Sequence, residues 1–121
     1  MAKIPLVRQL KIVGTFYRSK EEKAKLATLV GCGDPVPCAF KVETDNAHDS
    51  YAVAVYCKVP PHAPDGAGEW VHAGYVPATV SALFGAAIKG NETALEASCD
   101  VSIEKNIPAI ILNVALEEAF L

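Results

Sequence analysis

Residues 44–55, Thr-Asp-Asn-Ala-His-Asp-Ser-Tyr-Ala-Val-Ala-Val, constrain this chain most. Thr44 to Asp49 is a run of residues whose short polar side chains bond their own backbone and tolerate left-handed conformations, so it builds a turn. From Tyr51 the pattern changes to alternating small and β-branched residues, so the turn feeds straight into a strand running to Val59. The rest of the chain repeats this logic: short apolar runs, each closed by Gly, Pro, Asn or Asp.

Leu6 to Tyr17 reads as a first strand. Leu6, Leu10, Ile12 and Phe16 share one parity, with Gly14 marking a bulge or bend. That parity sends Phe16 inward and leaves Tyr17 at the surface. Ser19 and Glu22 form a capping box for a helix from Lys20 to Leu29, stopped at 31–35 by Gly-Cys-Gly-Asp-Pro. Val36 to Glu43 is the second strand, and Trp70 to Val76 the fourth. Pro60 to Gly68 has three prolines beyond the strand and no periodicity, so it reads as a mobile loop. Pro77 suits the first turn of a second helix, Ala78 to Lys89, whose apolar stripe is Leu83, Phe84, Ala86, Ala87 and Ile88. Leu95 to Ile103 and Ala109 to Leu116 form a final hairpin joined through residues 104–108. The order is β-α-β-β-β-α-β-β. It fits a mainly β, α+β fold: a small, partly open six-stranded barrel, or a flat sheet with both helices on one face.

The 121 residues make one domain, 1–121, with room for one modest core. No apolar run approaches the roughly 18 residues that span a bilayer, and the N-terminus lacks a signal peptide's apolar stretch, so a cytoplasmic protein with no membrane partner is expected. Of the four cysteines, Cys57 and Cys99 read as small core residues. No C-x2-C pairing points to zinc, and a mixed site from Cys32, Cys38 and His48 is the alternative to no metal at all. The net charge of −3 argues against broad nonspecific DNA binding. Charge is uneven, however. Residues 1–25 hold seven basic side chains and two acidic ones, an N-terminal positive face or else a solvated helix face.

Three pieces, Ile12-Val13-Gly14-Thr15-Phe16-Tyr17, the Asn46-x-x-Asp49 turn with its strand, and Gly74-Tyr75-Val76-Pro77, resemble in order and spacing a HIRAN domain. That family is a small barrel module related to the OB-fold, found alone in bacteria and phages and fused to SNF2-type helicases in eukaryotes. The resemblance covers roughly Leu10 to Lys89. It implies a DNA-binding module that recognises single-stranded DNA 3′ ends in DNA repair or replication-fork processing, with a helicase or nuclease as a further partner. It also implies that Asp49 contacts the terminal 3′-hydroxyl, and it places an aromatic residue at the end of the first strand, where Tyr17 stands. Two positions depart from the family. His48 stands where binding members often carry an aromatic residue, and Ala78 and Thr79 stand where a basic residue often follows the proline.

Read without the resemblance, each of these residues has a functional and a plain structural reading. Phe16, Tyr17 and Arg18 join aromatic and basic groups, and Tyr17 is either a base-stacking platform or a ring packed under the helix. Asn46, His48 and Asp49 are candidate ligand contacts or simply turn residues. Tyr75 and Thr79 flank a helix N-terminus that can seat a phosphate. No nucleophile elbow, P-loop or H-E-x-x-H motif is present, and Asp45 and Asp49 alone are a poor metal pair, so no enzyme activity and no cofactor are expected. The alternative function is a protein-interaction module of the same fold without DNA binding.

Overall fold

The computed structural model describes residues 3–30, 36–43, 45–47, 51–60, 68–88 and 95–117. Six strands and two helices follow in the expected order: β1 (Lys3–Lys11), α1 (Lys20–Ala27), β2 (Val36–Glu43), β3 (Ala52–Lys58), β4 (Trp70–Tyr75), α2 (Ala78–Ile88), β5 (Leu95–Glu104) and β6 (Ile107–Glu117). The strands form one antiparallel sheet in the order β1-β6-β5-β2-β3-β4. Pro5 lies on an edge strand, since among the described residues β1 pairs with β6 alone.

The sheet curls until its two ends meet. Val13, two residues past β1, exchanges reciprocal backbone hydrogen bonds of 2.8 Å with Tyr75, the last residue of β4. A single bridge therefore closes the barrel at this point. Gly74 makes that closure possible. Its φ is 151°, and a Cβ there would lie 2.4 Å from the Val13 carbonyl oxygen. Thr15 adds a buried side-chain bond, its hydroxyl donating to Ala73 O at 2.7 Å.

Val53, Val55 and Cys57 of β3, Val71 of β4, and Ile110, Leu112 and Val114 of β6 fill the interior. Both helices pack into the same core. Leu26 of α1 is fully buried, as is Leu29 in the turn that follows. Phe84 of α2 meets Phe40 of β2 edge to face, with ring centroids 5.1 Å apart. The capping box forms as expected, Ser19 Oγ accepting from Glu22 N–H and Glu22 Oε1 from Ser19 N–H, each at 3.0 Å.

Four expectations are corrected. The first strand stops at Lys11 rather than Tyr17, because Gly14 at φ 81° opens a 3-10 turn over Thr15–Tyr17. The alternation breaks there, so Thr15 takes the interior position and Phe16 is 60% exposed instead of buried. Gly14 marks the expected bend, and β1 carries a separate irregularity at Gln9 (φ 51°), whose N–H turns to Asn113 Oδ1 at 3.0 Å. On α2 the buried face is Ser81, Phe84 and Ile88, while Leu83 is 77% exposed, because the helix rotates its i, i+3, i+7 positions inward. The last hairpin turns on two residues only. Lys105 and Asn106 have φ of 51° and 66°, the left-handed pair that matches strand twist in a tight hairpin.

Among the described residues no helix is long and apolar enough to cross a membrane. His48, Asp49, Cys32 and residues 61–67 of the proline-rich loop lie outside the described residues.

Candidate nucleic-acid interface

The barrel's closing bridge is also where four of the sequence-predicted residues converge. Tyr17, Arg18, Asn46 and Tyr75 line one open cleft of about 540 Å³, together with Gly14, Val76 and Ala78 at the start of α2. Tyr17 is 80% exposed, which assigns its ring to the surface rather than to packing under α1. Phe16 is separated from this cleft. It lines a second groove, of about 700 Å³, between the Lys11–Phe16 segment and the β5–β6 turn. The two rings still touch edge to face, with centroids 5.2 Å apart, and Lys23 Nζ lies 5.3 Å from the Phe16 ring. Thr79 is exposed but is not part of the cleft lining.

Arg18 is the best-held cation of the set. Its guanidinium lies over the Tyr75 ring, 5.9 Å from the centroid, and donates through Nη1 to His72 Nδ1. Because arginine stays protonated, His72 must accept at Nδ1 and carry its proton on Nε2, which donates to Gly74 O at 3.1 Å. Burial, and then the neighbouring Arg18 charge, hold the His72 imidazole below its ordinary pKa. Arg18 Nε is enclosed with no acceptor among the described residues.

Glu43 ties together two residues of the cleft lining, Tyr75 and Asn46. Its Oε1 accepts from the Tyr75 hydroxyl at 3.0 Å and from Asn46 Nδ2 at 3.1 Å, while Asn46 N–H caps Glu43 O at 3.2 Å. Asn46 is thus a turn residue and a cleft residue at once. Burial, then the bond to Glu43, raises the Tyr75 pKa, so the ring stays a neutral phenol.

Sequence reasoning missed the surface next to the cleft. On the outer parity of β3 and β4, Tyr56 pairs with His72 and Lys58 with Trp70. The Tyr56 and His72 rings stack at 5.0 Å and 24°, His72 meets Tyr75 edge-on at 5.0 Å, and Lys58 Nζ lies 5.7 Å from the Trp70 ring. An aromatic strip interleaved with Lys58 and Arg18 therefore runs from Trp70 to the cleft. Its signal was present in the sequence as the outward parity of Trp70 and His72 against inward Val71 and Ala73. The pairing with Tyr56 was not, because it depends on strand register.

No family model and no curated protein matches the chain. Among solved structures, a crystal structure of a protein from Lactobacillus plantarum is similar, with a TM-score of 0.57 and 17% identity, covering 96% of this chain and 98% of that one. The likeness is one of fold. It agrees with the mainly β, α+β fold described above and is silent on what the cleft binds.

Proposed function

We propose that this protein is a non-enzymatic module that binds single-stranded DNA at a 3′ end, as the HIRAN resemblance implies. The observation that carries this reading is the convergence of an exposed Tyr17 with the half-buried Arg18 and Tyr75 on one cleft, extended by the Tyr56–His72–Trp70 strip. Bases have π-faces and phosphates have charge, so alternating rings and cations form the surface a single strand requires. Arg18 is held by His72 against the Tyr75 ring, so little side-chain entropy is left to lose on binding. Asp49, three residues beyond Asn46, supplies the contact with the terminal hydroxyl in this reading.

Two observations favour the protein-interaction alternative. The Glu43 carboxylate stands behind Tyr75 and Asn46, two residues of the cleft lining, and Ala78 rather than a basic residue opens α2. Both weaken the attraction for phosphate.

Fluorescence anisotropy with short oligonucleotides at low salt separates the two. Binding is expected to favour a free 3′ end over a 3′-phosphate, and Tyr17→Ala is expected to weaken it by about 1–3 kcal/mol with the melting temperature unmoved. Asp49→Asn should narrow the preference for the free end, since a carboxylate repels the phosphate and an amide does not. Equal affinity for both ends, or none, selects the protein-interaction module.

A further inference from the structure

Cys38, Cys57 and Cys99 are far apart in sequence but place their three sulfurs within 4.8 Å of one another. Cys38 and Cys57 are direct cross-strand partners in β2 and β3. Cys99 of β5 faces Val36, which shares the parity of Cys38 two residues later on β2. The cluster sits at a corner of the barrel, where β2 leaves β5 after Pro37 and pairs with β3 from Cys38 onward. Each ligand atom is thus borne by a backbone that the sheet already holds.

We propose that these three cysteines form a binding site for a soft, thiolate-seeking metal ion. Three sulfurs bound to a single ion at about 2.3 Å in a trigonal plane are about 4 Å apart. The cluster already has that spacing, with Cys57 Sγ and Cys99 Sγ at 3.4 Å and none beyond 4.8 Å. A disulfide needs about 2.05 Å, and all three residues are free thiols. An all-sulfur donor set selects Zn(II), Cd(II) or Cu(I) over the oxygen-seeking ions. The core position of Cys57 and Cys99 excludes water, and Cys38, only partly buried, gives the ion its entry.

The step is a proton-for-metal exchange without redox change. Three thiols release three protons, and three S–M bonds replace three S–H bonds, leaving a net charge of −1 with a divalent ion and −2 with Cu(I). Uptake therefore weakens as the pH falls, because protons compete for every ligand.

The test uses the reduced, chelator-stripped full chain, titrated anaerobically with Cd(II) and, separately, with Zn(II) and Cu(I). A thiolate-to-metal charge-transfer band with Cd(II), saturating at one equivalent and accompanied by a rise in melting temperature, is the expected result. Cys38→Ser should lower the Cd(II) affinity at least tenfold, and Cys32→Ser should leave it unchanged. Since Cys57→Ser and Cys99→Ser alter the core and can fail to fold, alkylation of the wild type serves as a second readout. Cd(II) should protect Cys38 from iodoacetamide, with the modified residue mapped by mass spectrometry. No band at one equivalent overturns the proposal. So does a band that survives Cys38→Ser, one lost in Cys32→Ser, or equal labelling of Cys38 with and without metal. The Zn(II) and Cu(I) arms distinguish the two charge states of the same site.

Discussion

At Gly74 the fold and the cleft depend on one absent methyl group. A β-carbon at that position meets the Val13 carbonyl at 2.4 Å, and φ 151° is strained for any other residue. Gly74→Ala is therefore expected to destabilise the protein by about 3 kcal/mol, combining backbone strain with overpacking. Urea unfolding checks the value, and loss of slow hydrogen exchange at Val13 and Tyr75 N–H checks the cause. His72 gives a second prediction. Its folded pKa lies below the ordinary 6.5, chiefly through burial and then through Arg18. The unfolded chain then binds the proton more readily than the folded one. The neutral ring's contribution to stability is fully present above pH 6.5 and declines as the pH falls from there toward the folded pKa. The melting temperature should drop over that interval, and His72→Gln should flatten the drop. Protonation also removes the acceptor for Arg18, so oligonucleotide binding should loosen as the pH falls through the folded pKa, below the point where the melting temperature begins to drop.

At the scale of elements, the capping box and the 3-10 turn divide the work of placing Tyr17 and Arg18. Ser19 fixes where α1 begins, and Arg18 N–H closes the 3-10 turn on Thr15 O at 3.1 Å. Ser19→Ala removes one of the two reciprocal bonds and should cost about 1 kcal/mol, read by thermal or urea unfolding, with weakened binding following from a less fixed Arg18. The box was legible from Ser19 and Glu22 because it is a local spacing rule. The 3-10 turn was not. Leu10, Ile12 and Phe16 keep strand parity in the sequence, and only the closing bridge at Val13 shows that the chain must turn there to let Thr15 reach Ala73 O.

For the whole molecule, the net charge of −3 limits how a strand is held. Lys25 is bound in ion pairs with Glu69 at 2.8 Å and Glu21 at 3.2 Å, and Lys11 with Glu104 at 2.7 Å. Two of the seven N-terminal basic residues are thus paired with carboxylates. With Arg18 and Lys58 the cations beside the aromatic strip among the described residues, about two phosphates are neutralised. The slope of log affinity against log salt should then be near −1.4, at about −0.7 per phosphate on a single strand. A slope beyond about −4 would place the binding surface elsewhere on the molecule.

Element order, the capping box, the boundaries of β2 and the candidacy of Tyr17, Arg18, Asn46 and Tyr75 were determined by sequence alone. They rest on periodicity, turn chemistry and motif spacing, which act over a few residues. Tertiary structure alone decided the exposure of Phe16, the roles of His72 and Glu43, and the meeting of Cys38, Cys57 and Cys99. Each of these depends on strand register and on how far the sheet curls. A pairing such as Cys38 with Cys57, or Val13 with Tyr75, is set by the balance of packing across the entire barrel, and no stretch of sequence carries that balance by itself.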